Sequence, residues 1–183
     1  TRDRLRIDSA RGADVFGPDQ LDRTLDLQHI GANVQLNLGD RGVVPFVRTG
    51  AGILRFETEG RERQDRIALS AGGGLRIALG EVQGELFAEQ LGFRLNPRAL
   101  FASDTGAATT LRNLSYGAGL VVPLSRGETR GDDGLRGSSA PLEPFVGRLE
   151  FADELRLERQ DVAGVRAGLD LTPMFGLRGF WWR

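Results

Sequence analysis

Fourteen consecutive residues, Ile67 to Gly80 (IALSAGGGLRIALG), alternate so strictly that they constrain the fold around them. Ile67, Leu69, Ala71, Gly73, Leu75, Ile77 and Leu79 form one series, all apolar or glycine. Ala68, Ser70, Gly72, Gly74, Arg76, Ala78 and Gly80 form the other, small residues interrupted by one cation. A period of two over this length is a β-strand, because a helix would repeat every 3.6 residues. One face requires an apolar medium, and the other must fit a cramped, polar space. In a soluble sandwich or lipocalin the wet face would carry Lys, Glu and Thr. The pattern therefore predicts a strand of a membrane β-barrel, with lipid outside and a filled lumen inside.

The same alternation recurs along the chain. Strands are expected at Leu25–Leu38, Val43–Glu57, Val82–Phe93, Asn113–Leu124, Glu143–Ala152 and Val162–Leu171, with partial strands at Thr1–Ile7 and Gly176–Arg183. The two partial strands read as halves of one, which brings the termini together and makes eight strands. Short turns fall at 39–42, 80–81 and 172–175; long polar loops fall at 8–24, 58–66, 94–112 and 153–160. Short turns at one rim and long loops at the other are the barrel pattern. Residues 125–141 (SRGETRGDDGLRGSSAP) read as a flexible linker within a single domain, 1–183.

Composition removes several function classes. The formal net charge is −1, which gives no electrostatic case for nucleic acid. There are no cysteines, so disulfide scaffolds, thiol nucleophiles and Cys-type zinc sites are excluded. All 24 basic residues are arginine, and no apolar run is long enough for a membrane helix, so any spanning falls to strands. Thr1 is neither an initiator Met nor the start of a signal peptide, so the chain reads as a mature product, an excised domain or an engineered one.

Three segments carry a family likeness: Val44-Pro45-Phe46-Val47-Arg48-Thr49-Gly50-Ala51-Gly52, Ala71-Gly72-Gly73-Gly74-Leu75, and Leu171 to Phe180 (LTPMFGLRGF). With them the chain resembles the small eight-stranded outer-membrane β-barrel proteins of OmpA/OmpX type. The resemblance implies an all-β, eight-stranded antiparallel up-and-down transmembrane barrel with a filled polar interior, in the bacterial outer membrane. It also implies a monomer in contact with outer-membrane lipids, with any extracellular ligand or protein held by loops 8–24 and 94–112. Family members would start with a segment like Glu143–Ala152 and end with one like Asn113–Leu124. The order here is rotated, as in a circular permutant or a window cut from a tandem pair.

The polar faces collect Arg48, Arg76, Arg148, Arg166 and Arg178 against Glu85, Glu89, Glu150 and Asp170. Charges in a narrow lumen must pair, so these are expected to form a salt-bridged filling, with a gated ion path or catalytic carboxylate as the functional alternative. His29 is the single histidine. With Ser70 or Ser115 and Glu85 or Glu89 it could compose a Ser-His-acid set, but no local signature of a lipid hydrolase surrounds it. A polar-face His beside Asn33 and Gln35 reads as part of a hydrogen-bonded lumen. Gly50-Ala51-Gly52, Gly72-Gly73-Gly74 and Gly117-Ala118-Gly119 complete no nucleotide-binding motif. Trp181, Trp182, Tyr116 and Phe93 are candidates for interfacial aromatic girdles, with lumen filling as the alternative for each. The expected role is structural or surface-interacting, with no catalysis, cofactor or metal. The alternatives are a lipid-modifying hydrolase and a soluble lipocalin-like ligand-binding barrel.

Overall fold

In a computed structural model, the structure describes residues 25–39, 42–58, 63–95, 108–126, 139–155 and 157–183. Its eight strands are β1 (Leu25–Asn37), β2 (Val43–Thr58), β3 (Gln64–Leu79), β4 (Val82–Leu95), β5 (Thr109–Arg126), β6 (Ser139–Glu150), β7 (Gln160–Asp170) and β8 (Phe175–Trp182). Each pairs antiparallel with its neighbours in chain order, and β8 pairs with β1 to close the barrel. Closure leaves no unpaired sheet edge.

Alternation sets the two faces, and register locks them. Following paired residues round the barrel from Ile67 through Ile53, Ile30, Trp181, Val165 and Pro144, the path crosses β5 and β4 and returns to β3 at Ile77, a stagger of ten residues. With ~3.3 Å rise per residue and ~4.8 Å between strands, that stagger tilts the strands by about 40°. Gly80 has φ +74° in the turn from β3 to β4, a conformation that a side chain would resist.

The outer face is apolar on every strand. Ile30, Val34, Val47, Ile53, Ile67, Leu69, Leu86, Leu120, Val146, Leu169, Leu177 and Trp181 are among the large side chains exposed there. The inner face is packed, and glycine makes the packing possible. A Cβ on Gly74 would stand 2.8 Å from the Phe46 ring, and one on Gly164 would stand 2.6 Å from the Phe145 ring.

Several expectations need correction. Among the described residues β8 pairs with β7 and β1 and closes the barrel; the expected other half of that strand, Thr1–Ile7, lies outside the described residues along with loop 8–24. The expected linker 125–141 is shorter, since Ser125 and Arg126 extend β5 and Ser139 to Pro141 open β6. Loop 94–112 shrinks to 96–108 because β4 and β5 are longer than their clean alternation.

The interior is also only partly polar. Its loop-end half is an apolar core of Leu27, Leu54, Phe56, Leu91, Phe93, Leu95, Leu111, Leu149 and Trp182. The β6–β7 connection folds over that end. A 3-10 turn at Asp153–Leu155 inserts Leu155, which is fully buried, while Phe151, Ala152 and Leu157 pack against the core. The Ala152 N–H donates to Asn113 Oδ1 at 2.9 Å and fixes the fold-over.

Candidate functional site

The turn-end half of the lumen holds a charge network built from neighbouring strands. Glu85 on β4 lies at its centre. Its Oε1 accepts from Arg48 at 3.3 Å and Arg166 at 2.9 Å, and its Oε2 accepts from Arg76 Nε at 3.0 Å and Nη2 at 2.9 Å. Glu143 on β6 is the second acceptor, taking bonds from Arg76 and Arg178, each at 2.7 Å. Arg178 also donates to Asp170 and to the carbonyls of Leu169 and Leu177. Gln35 accepts from Arg76 at 3.2 Å and donates to Asn37 Oδ1. Four arginines thus meet Glu85, Glu143, Asp170 and Glu89, and the group is formally neutral. Neutrality is what allows such burial, since an unpaired ion there would cost several kcal/mol.

Aromatic rings flank the network. The Arg166 guanidinium lies 4.1 Å from the Phe145 ring centroid and 4.6 Å from that of Phe87, and Arg48 lies 5.0 Å from Phe46. Ring faces attract cations in a dry setting. Two contacts are electrostatic without being hydrogen bonds: Arg48 Nε to Glu89 at 3.8 Å, and Arg166 to Glu143 Oε2 at 3.7 Å.

Of the charges expected inside, Arg48, Arg76, Glu85, Glu89, Arg166, Asp170 and Arg178 all face the lumen. Arg148 and Glu150 do not. Both lie on the outer face at the loop end, where Arg148 pairs with Asp161 at 3.0 Å and Glu150 with Arg159 at 3.0 Å. The reason is parity: β6 points Glu143, Phe145 and Leu149 inward, so positions 148 and 150 must point outward. Glu143 was the lumen acid missed by sequence reasoning. Its shared parity with Gly147 was the available signal.

His29 lies in the lumen between the network and the apolar core. Its ring makes edge contacts with Phe180 at 4.7 Å and Trp182 at 5.3 Å. Neither ring nitrogen has a hydrogen-bond partner, and neither do Ser70 Oγ and Asn33 Oδ1. These groups face a cavity of about 20 Å³, also lined by Ser115 and Glu89, with room for about one water. No Ser–His hydrogen bond joins the candidate set, and Glu85 is engaged by three arginines. Among the described residues no three His, Cys, Asp or Glu side chains cluster so as to hold a metal ion.

The aromatic candidates divide. Trp181 and Tyr116 face outward, whereas Trp182 and Phe93 are buried inside. The outer face changes character near the loop end of each strand. Apolar residues run from Val43 to Ile53 on β2 and from Leu114 to Leu124 on β5, about 25 Å along the barrel axis at the tilt above. Beyond them the outward side chains are polar or charged: Asp26, Arg55, Asp65, Arg94, Arg112, Arg148, Asp161 and Arg183. With the stagger shared among the strands, these changeovers lie at a common height to within about 5 Å. Comparison with known proteins finds no matching family model, no matching curated protein and no matching solved structure.

Proposed function

We propose that this chain is an outer-membrane β-barrel protein of a Gram-negative bacterium, of the small eight-stranded kind, with a structural or surface-interaction role and no catalysis. One observation carries the reading. The barrel turns large apolar side chains outward on all eight strands, in a band that reaches about 25 Å on β2 and β5, the height of a lipid-facing barrel band, and a ring of charges follows it at the loop end. A monomeric soluble protein rarely exposes so large an apolar area. The belt also argues against a lipocalin-like carrier, which would wet its outer face and line a hollow with apolar groups. The unconnected His29 and Ser70 give a lipid hydrolase no activated nucleophile.

In this reading the loop end faces outward, and the long connections such as residues 96–108 make any contact with an extracellular ligand or protein. Flotation tests the membrane part: refolded protein is expected to rise with lipid vesicles and to precipitate without lipid or detergent. Protein that stays soluble and monomeric alone would end the reading. The surface role is tested by replacing residues 96–108 with a short Gly/Ser linker and scoring cell adherence to matrix-coated surfaces. Unchanged adherence would leave the structural role alone.

A further inference from the structure

The charged ring has one gap in its pairing. Three strand pairs carry their own outward ion pair: Arg183 with Asp26 across β8 and β1, Arg55 with Asp65 at 3.1 Å across β2 and β3, and Arg148 with Asp161 at 3.0 Å across β6 and β7. The fourth pair, β4 and β5, carries Arg94 and Arg112 and no outward acid. Both arginines are exposed, and neither makes an ion pair or hydrogen bond among the described residues.

Register places them around a bare floor. Gly92 lies opposite Arg112, and Arg94 lies opposite Thr110. Gln90, two residues along β4 from Gly92, shares the outward face. The two arginines are diagonal neighbours with backbones about 7–8 Å apart, so one anion could accept from both guanidinium groups. Gly92, like Gly179 on the same outer face, is not forced by crowding. Lumen glycines such as Gly74 and Gly164 are forced by crowding, but a Cβ on Gly92 would meet nothing closer than 3.9 Å. Packing does not require that glycine, and its lack of a side chain leaves a shelf beneath the donors. Leu69 and Leu114 border the shelf on the apolar side.

Building on the membrane reading, we propose that Arg94, Arg112, Thr110 and Gln90 around Gly92 form a binding site for the phosphate headgroup of a membrane lipid, whose acyl chains run down the β4–β5 face. The chemistry is recognition of a phosphate by two arginines and neutral donors at the edge of hydrocarbon, where each cation counts for about fivefold in affinity.

The test uses the whole chain in phosphatidylcholine nanodiscs containing a minor fraction of phosphatidic acid, with retained lipid counted by native mass spectrometry. R94Q/R112Q is expected to retain phosphatidic acid at least about tenfold less well than the parent. R148Q, at a paired seam, is expected to match the parent. G92L, which fills the shelf without changing charge and has room to do so, is expected to lower retention as well. Equal retention by R94Q/R112Q and the parent would overturn the site. Loss on removing the arginines but not with G92L would reduce it to diffuse attraction and overturn it too. Displacement by millimolar inorganic phosphate with the same variant dependence would make it an ion site and not a lipid site. Failure to enter nanodiscs at all would instead strike the membrane reading itself.

Discussion

Glu143 shows how much a single side chain can hold here. It joins Arg76 and Arg178 through one oxygen, and it is almost completely buried. Glu143→Ala leaves two guanidinium groups short of an acceptor and is expected to lower stability by about 3–5 kcal/mol. Arg148→Ala, five positions along the same strand, removes only an exposed pair and should cost about 0–1 kcal/mol. Urea unfolding in lipid vesicles checks both, and equal effects would mean that the inward parity of β6 is wrong. Arg76 was legible because its strand alternates cleanly, Arg48 because it shares its face with Gly50 and Gly52 in a strand that alternates less cleanly, and Glu85 because it stands opposite the Gly84, Leu86 and Ala88 series. Glu143 was not, since Pro141 and Pro144 interrupt its pattern. Arg148 and Glu150 were misplaced because a charge reads as interior only within the apolar band. Beyond the band, either face is wet.

At the scale of the strand, the outer face has an apolar section and a charged one, and if the apolar section meets lipid as proposed, substitutions should report the boundary. Val34 on β1 lies near the middle of the belt, so Val34→Arg is expected to cost about 2–4 kcal/mol, falling to about 0–1 for Gln28→Arg at its edge. Similar costs for the two would contradict the belt. The strands themselves were readable to within a few residues, because period-two alternation survives even where glycine is abundant. The fold-over after β6 was not. Leu155 and Leu157 stand among charges in a segment with no periodicity, yet Leu155 is buried in the mouth of the barrel. Leu155→Ala is expected to destabilise by about 2–5 kcal/mol, measurable by the same unfolding assay. Trp182 and Phe93 show the matching ambiguity, since an aromatic near a strand end suits either a girdle or a core. Parity decides between them only once the neighbouring strands are in register.

For the molecule as a whole, eight strands with a ten-residue stagger leave an interior just wide enough for side chains. Arginine–carboxylate pairs fill the turn end and aliphatic and aromatic groups the loop end. Planar bilayers containing the protein are therefore expected to show no discrete conductance steps, and regular steps would mean that this filling opens. The eight-strand count was legible from the spacing of turns, whereas the β8–β1 register that closes the barrel depends on pairings that no local pattern displays. The most direct test of the central claim, that the apolar outer face meets lipid, uses the adjacent tryptophans, one outside and one inside. In vesicles of brominated phospholipid, Trp181 in a Trp182→Phe variant should be strongly quenched, and Trp182 in a Trp181→Phe variant largely spared. Trp181 quenched instead by aqueous iodide and untouched by brominated lipid would contradict the account.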